Sequence, residues 1–430
     1  MIGIIMFFVA LLMLIFGFPV AFTFGGVALI FGVFAEGPDI FAFMPFRVQS
    51  IMENVTLMAV PLFIFMGIVL QRTRLAEQLL EAMGKLFGGV RGGLAISTVL
   101  VGALLAASTG VVGASVVAMG LISLPVMLKY NYDKSLACGT ICASGTLGQI
   151  IPPSIILIIL GDVLGIPVGD LFQAALAPGL VLIGCYVVYI LIYTWIKPEA
   201  APALPMDDDL THRHEQYIRA LKAIIPPLAL ILVVLGSIFA GIATPTESSA
   251  LGGVGALLLA AIYGQFNWKM VYEASQETVK ISAMVFAILL GATAFSMAFS
   301  YTGGDYIVEE LLSDMPGGAM GFLILSMVAI MILGFFIDFV EISFIIVPIL
   351  APVANALGIA PVWFAILIAM NLQTSFLTPP FGFSLFYLKG VAPAGVRTMD
   401  IYRGVVPFIL MQVGVVITIL LFPEWYGLLD

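Results

Sequence analysis

Ser144-Gly145-Thr146-Leu147-Gly148-Gln149-Ile150-Ile151-Pro152-Pro153-Ser154 is a polar, proline-closed segment inside a long apolar stretch. Asn371-Leu372-Gln373-Thr374-Ser375-Phe376-Leu377-Thr378-Pro379-Pro380 is a second one. Each Pro pair removes backbone donors and stops the preceding turn from continuing as helix. Both segments therefore mark a helix broken part-way along a span. The two pairs are 227 residues apart (379 − 152), and the same offset takes Pro352 to Pro125 and Gly252-Gly253 to Gly25-Gly26. Pro245 and Pro19 give 226. Landmarks that agree within one residue, in one order, indicate an internal repeat.

The surroundings of these breaks are those of a membrane protein. Hydrophobic residues make up 62% of the chain, charged residues 10%, and the mean hydropathy is +1.18. Ordinary soluble domains are about half apolar and about a quarter charged. At 430 residues there is room for ten or more spans of roughly 20 residues each. Met1 to Phe34 has no basic n-region and no small-residue cleavage site, so it is expected to hold two spans broken near Gly17-Phe18-Pro19. Cys138, Cys142 and Cys185 lie in apolar runs without metal-ligand spacing and are expected to be small core residues.

Placement of charge sets the orientation. With Met1 outside, the first half (1–197) has scaffold spans within 1–71 (about 3–18, 19–35 and 54–71). It continues with a re-entrant hairpin at 92–128, a broken helix at 135–165 and a span at 171–196. A polar linker, 198–222, holds Asp207-Asp208-Asp209 and His212-Arg213-His214 and leads into an interfacial helix. The second half (223–430) has spans at 223–242, 245–264 and 281–302, a hairpin at 318–357, a broken helix at 360–388 and a span at 404–423. This arrangement puts every Lys and Arg on the cytoplasmic side except Arg47, as the positive-inside rule favours. Five crossings per half is an odd number, so the halves are inverted relative to each other. Inverted repeats with discontinuous helices are the architecture of secondary transporters. Leu75 to Phe87 and Tyr306 to Met315 are amphipathic and suit helices lying along the membrane surface.

Chemistry is expected where the backbone is unwound at membrane depth, which is tolerated only when protein or water covers it. The half-helix before each break ends in free carbonyls, suited to a small hard cation such as Na+. The half-helix after it begins with free N–H groups and a positive dipole end, suited to a carboxylate. The hairpin tips add Ser108-Thr109-Gly110-Val111-Val112-Gly113-Ala114-Ser115 and Gly334-Phe335-Phe336-Ile337-Asp338-Phe339-Val340-Glu341-Ile342-Ser343. Asp338 and Glu341 are costly at that depth. They read as a cation ligand, a proton carrier, a selector of substrate, or helix-start caps. Thr244-Pro245-Thr246-Glu247 fits a structural capping box. His212 and His214 are the only histidines, and neither a P-loop nor a nucleophile–base pair is present. No enzymatic activity, resident cofactor or nucleic-acid partner is expected.

Four motifs together resemble the large membrane subunit of TRAP (tripartite ATP-independent periplasmic) transporters, over essentially the whole chain. They are Ala107-Ser108-Thr109-Gly110-Val111-Val112-Gly113-Ala114-Ser115, Gly148-Gln149-Ile150-Ile151-Pro152-Pro153-Ser154, Gly241-Ile242-Ala243-Thr244-Pro245-Thr246-Glu247 and Thr378-Pro379-Pro380-Phe381-Gly382. The resemblance implies an all-α polytopic inner-membrane protein of the elevator type, with both termini periplasmic, importing a small organic anion with Na+ as coupling ion. The acids such transporters carry include C4-dicarboxylates, keto or hydroxy acids, sialic acid and sulfonates. It also implies a small four-helix membrane subunit and a periplasmic substrate-binding protein, both as separate chains. On this chain Na+ would fall to Ser108, Thr109, Gly113, Ser144, Gly145, Thr146, Asp338, Asn371, Thr374 and Ser375. The substrate would fall to Ser115, Gln149, Pro152, Ser154, Thr378 and Pro379. Thr244 and Glu247 would remain a structural cap. A self-sufficient Na+-coupled symporter of related fold and a channel or structural subunit are the alternatives.

Overall fold

The computed structural model describes residues 2–73, 75–110, 112–204, 210–313 and 315–429, and their side chains except those of 75, 76, 106–109, 210–217, 219 and 313. The run Asp207-Asp208-Asp209 and the side chains of His212, Arg213 and His214 lie outside the described residues. Among the described residues the chain is helical, without a strand.

Residues 2–87 hold α1 (Ile2–Ile15), α2 (Val20–Glu36), a 3-10 turn (Pro38–Phe43), α3 (Met44–Met52), α4 (Ala59–Arg72) and α5 (Leu75–Phe87). Then come α6 (Gly93–Thr109), α7 (Val112–Lys129), α8 (Lys134–Thr146), α9 (Ile155–Leu164) and α10 (Val168–Ile196). The series resumes with α11 (Leu210–Phe239), α12 (Pro245–Ile262), α13 (Trp268–Tyr301) and α14 (Gly304–Ser313). It closes with α15 (Gly318–Leu333), α16 (Phe339–Glu341), a π-helical turn (Ile342–Ile346), α17 (Val347–Ala356), α18 (Pro361–Leu377), α19 (Phe383–Val391) and α20 (Thr398–Leu421). Seven of the described helices are long and apolar enough to cross a membrane, or up to eight if the bent pair α4 and α5 is one span. The chain is a multi-pass membrane protein.

Element bounds carry the 227-residue offset. Both ends of α7 (112 and 129) are 227 residues before the ends of the α16–α17 arm (339 and 356), and α8 starts 227 before α18. Packing exchanges partners between the halves in the same way. Helix α2 packs on α13 while α4 packs on α12; α7 packs on α19 while α17 packs on α9; α8 packs on α20 while α10 packs on α18. Lipid is as apolar as leucine, so such contacts depend on close fit rather than on hydrophobic drive. At the α8–α20 crossing a Cβ on Gly139 would land on the Gly404 carbonyl, and one on Gly404 would land on the Ser135 carbonyl. Only glycine permits that approach.

Local chemistry sets the helix starts. Asp133 caps α8 by accepting the Leu136 N–H at 2.9 Å, and Asn267 caps α13 by accepting that of Met270 at 2.8 Å. Thr244 and Glu247 form a reciprocal capping box at α12, with the Thr244 N–H donating to Glu247 Oε2 at 2.8 Å.

One expectation needs correction, and helix bounds add detail to two others. The linker does not stay irregular to residue 222: α11 begins at Leu210 and runs unbroken through Pro226 and Pro227, so among the described residues no separate interfacial helix precedes the span. The crossing expected at 281–302 falls in a longer helix that begins at Trp268, where Asn267 caps it. Within the crossing expected at 54–71 the helix begins at Ala59, since Asn54 Oδ1 accepts the N–H groups of Thr56 and Leu57 and holds a turn there.

Candidate functional site

The first break starts where α8 ends at Thr146. A 3-10 turn, Leu147–Gln149, follows, and Ser154 in extended conformation opens α9. Ser154 Oγ donates to the Gln149 carbonyl at 2.6 Å, tying the two sides of the break together. Pro152, Pro153 and Ser154 are buried. The second break runs from Thr378, in extended conformation, to Gly382, and Ser384 Oγ bridges it by donating to the Phe376 carbonyl at 2.9 Å. It is the more open of the two: Thr378 and Pro379 are half-buried, while Pro380 and Phe381 are exposed. The Pro152–Pro153 and Pro379–Pro380 bonds are both cis.

Each hairpin tip packs on a break. Gly110 turns the first tip at φ +60°, and its Cα faces the Ile155 side chain at the start of α9. Gly113 lies flat against the Tyr387 ring of α19, Gly102 against Ser144, and Gly145 against Val116. The first tip thus touches the broken helices of both halves. At the second tip Gly334 lies against Ser375, Phe336 packs on Phe381 with ring centroids 5.1 Å apart, and Phe339 packs on Phe376 at 6.0 Å. Asp338 is the N-cap here, accepting the Phe339 N–H at 2.6 Å. Glu341 is 6% exposed, and its Oε2 has no hydrogen-bond partner. The π-helical turn begins directly after it, and such turns recur at functional sites.

The hydroxyls around the breaks share one arrangement. Ser144 Oγ donates to the Ile141 carbonyl (3.0 Å), Thr146 Oγ1 to Ala143 (2.9 Å), Thr374 Oγ1 to Met370 (2.9 Å), Ser375 Oγ to Leu372 (2.8 Å) and Thr378 Oγ1 to Thr374 (2.7 Å). Donating back into the helix uses the hydroxyl proton and leaves the oxygen lone pairs for a cation. Asn371 differs: its Nδ2 donates to the Met327 carbonyl at 2.6 Å and fastens α18 to α15. Gln149 and Gln373 are fully buried, and neither amide atom of either has a partner. Buried amides are paired as a rule, so these two fit a polar ligand.

The structure therefore gathers Ser144, Gly145, Gln149 and Ser154 with the first tip, and Ser375 with the second. Asp338 belongs to that second tip. Ser115 is buried in the opening turn of α7. The side chains of Ser108 and Thr109 lie outside the described residues. Thr244 and Glu247 stand apart, at the start of α12. Among the described residues no group of three His, Cys, Asp or Glu is placed to hold a metal.

Sequence reasoning missed three residues. Gln373 lies inside the second break, and its burial without a side-chain partner singles it out. Gln412 Nε2 donates to Tyr186 Oη at 2.7 Å and reaches Thr146 Oγ1 at 3.4 Å. A lone glutamine in an apolar span was the available signal. Tyr387 has no such signal, because its contact with Gly113 joins positions far apart in sequence.

The family model described as "Tripartite ATP-independent periplasmic transporter, DctM component" matches residues 5–425. The chain is 30% identical over 381 residues to the ectoine TRAP transporter large permease protein TeaC of Halomonas elongata, covering 88% of this chain and 87% of that protein. It is 29% identical over 414 residues to the sialic acid TRAP transporter large permease protein SiaM of Vibrio cholerae, covering 96% and 95%. Among solved structures, the YdaH transporter of Alcanivorax borkumensis superposes with a TM-score of 0.67 over 100% of this chain and 99% of that one. At 14% identity, that likeness concerns the fold alone.

Proposed function

The chain belongs to the DctM component family of the tripartite ATP-independent periplasmic transporters and is a permease subunit rather than an enzyme; we propose that it imports a small organic anion together with Na+. The observation that carries this reading is the pairing of two broken helices with two hairpin tips, recurring at one offset. Na+ is co-transported cargo on this reading. The oxygens of Ser144, Thr146, Thr374 and Ser375, the carbonyls at the ends of α8 and α18, Asn371 and Asp338 supply hard ligands. The carboxylate of the solute lies at the starts of α9 and α19, where free N–H groups and the helix dipole favour an anion. Ser154, Gln149 and Thr378 flank those starts.

The halves are inverted repeats, each crossing five times, and both termini are periplasmic with the protein in the inner membrane. The exchanged packing between halves supports this, as does the charge placement. Hairpins and broken helices form one body that slides as an elevator against a scaffold of α1, α2, α4, α11, α12 and α13. A small membrane subunit and a periplasmic binding protein complete the transporter. The acid is a C4-dicarboxylate, a keto or hydroxy acid, a sialic acid or a sulfonate.

The test begins with a thermal-shift screen of acids on the partner binding protein, which identifies the solute. Uptake of that acid is then measured in proteoliposomes holding this chain and the small subunit. We expect saturable uptake that needs both an inward Na+ gradient and the binding protein. Uptake indifferent to the binding protein would instead make the chain a self-sufficient symporter, and conductance without a gradient would make it a channel.

A further inference from the structure

A polar cleft lies apart from both breaks. A cleft of about 470 Å³ opens between α13 and α3 on one side and α9, the π-helical turn and α17 on the other. That volume suits a small molecule. One face of α13 lines it, with Leu289, Thr293, Ser296 and Ser300 at helical spacing, and Phe344 and Pro348 lie opposite. Thr293 Oγ1 donates back to the Leu289 carbonyl at 2.7 Å, which commits its proton and leaves its lone pairs for a ligand. The repeat itself does not require this hydroxyl row. The positions 227 residues earlier are Met66, Val69 and Thr73, of which Met66 and Val69 are buried apolar side chains.

Two charged residues line the same cleft, Arg47 from α3 and Asp162 from the last turn of α9. Asp162 is half-buried, and its Oδ1 takes the Asn54 amide at 2.5 Å. Arg47 is exposed, and its guanidinium makes no hydrogen bond or ion pair among the described residues. Glu53, the nearest other acid in sequence, takes the Gln49 amide at 2.8 Å and lines a different groove. The cleft thus carries an exposed guanidinium with no partner among the described residues and a half-buried carboxylate already engaged by Asn54. In the orientation proposed above, Arg47 is also the lone basic side chain on the outer side.

We infer that the cleft is an outer vestibule that receives an anion: a carboxylate or sulfonate pairs with Arg47 and passes along Thr293, Ser296 and Ser300 toward the second hairpin. This rests on the proposed orientation. Both walls take part, because α13 belongs to the scaffold and α9 with α17 to the moving body, so the vestibule changes shape during transport. A planar guanidinium is well suited to a carboxylate, and a lysine would keep the charge but not the fork.

Ser296→Cys and, as a more exposed companion, Ser300→Cys are made in a Cys185→Ser background, where the remaining Cys138 and Cys142 are buried. Spheroplasts expressing the full chain are labelled from outside with anionic 2-sulfonatoethyl methanethiosulfonate and its cationic trimethylammonium counterpart. Arg47→Gln is expected to lower the anionic-to-cationic rate ratio about tenfold at low ionic strength, with less effect in high salt. Arg47→Lys should restore most of it, and Asp162→Asn should move the ratio the opposite way. A ratio unchanged by Arg47→Gln overturns the vestibule while leaving the orientation intact. Labelling that is absent in spheroplasts but present in inside-out vesicles overturns the orientation, and the vestibule with it.

Discussion

Gln412 and Tyr186 meet across the two halves of the chain, amide Nε2 to phenol Oη at 2.7 Å, although 226 residues separate them. Their helices, α20 and α10, close the two halves, and the separation is one short of the 227-residue offset. Nearly equivalent positions meet where a two-fold relation has its axis, as in an isologous interface. The Tyr186 ring also packs edge-on against Phe408 with centroids 5.0 Å apart. The amide's contact with Thr146 Oγ1 then joins this seam to the first break.

Tyr186→Phe keeps the ring and removes the hydroxyl, leaving a buried amide with only its 3.4 Å contact to Thr146 Oγ1 and an Oε1 that already lacks a partner. The expected loss is about 1–3 kcal/mol, read as a lower unfolding temperature in detergent. Gln412→Leu alone should lose a similar amount, and the double variant should lose much less than the sum of the two. Additive losses would mean that the bond contributes nothing of its own.

At the breaks, Ser144→Ala and Thr374→Ala each delete one oxygen whose proton is already committed to the helix. If that oxygen holds Na+, its loss weakens the ion by about tenfold, the scale of an interaction with a charged group. Purified protein is titrated with NaCl against choline chloride while thermal unfolding is followed, since an ion that binds the folded state stabilises it by mass action. The midpoint of Na+ stabilisation should rise in both variants. Wild-type midpoints in both would remove these oxygens from the ion site.

Element positions were legible because prolines and glycines punctuate the chain: the Pro pairs at 152–153 and 379–380 lie within breaks, and Pro245 and Pro361 open helices. Periodicity could not show where two elements fuse. No breaker separates Leu210 from the span that follows, and two internal prolines are carried within the helix. Short elements between spans were also hidden, as the 3-10 turn at Pro38–Phe43 and α3 show. At the site, the hydroxyls adjoining the breaks could be nominated from sequence. Contacts such as Gly113 with Tyr387 or Gln412 with Tyr186 are tertiary, and no local pattern encodes them.

Thr244→Ala separates capping from transport. Its side chain accepts the Glu247 N–H at 3.3 Å, and Glu247 reaches back to the Thr244 N–H. Losing an N-cap costs about 1 kcal/mol, so thermal stability should fall modestly while the Na+ midpoint stays at the wild-type value. A shifted midpoint would place this turn in the ion pathway rather than in helix architecture alone.

The glycine crossing of α8 and α20 gives the sharpest structural test. A Cβ at Gly139 would coincide with the Gly404 carbonyl, and both partners are main chain, which cannot rotate aside as a side chain can. The helices would have to separate, and α8 leads directly into the first break. Gly139→Ala is therefore expected to cost about 3 kcal/mol, the upper range for overpacking a close contact. Gly390→Ala is the control: it too is a helical glycine, but a Cβ there meets nothing within 4 Å. Replacing glycine by alanine in an open helical position should be neutral or stabilising by about 0.5–1 kcal/mol. Monodispersity in detergent and unfolding temperature read both variants side by side. Equal behaviour of the two would mean that α8 and α20 do not cross as closely as the structure shows.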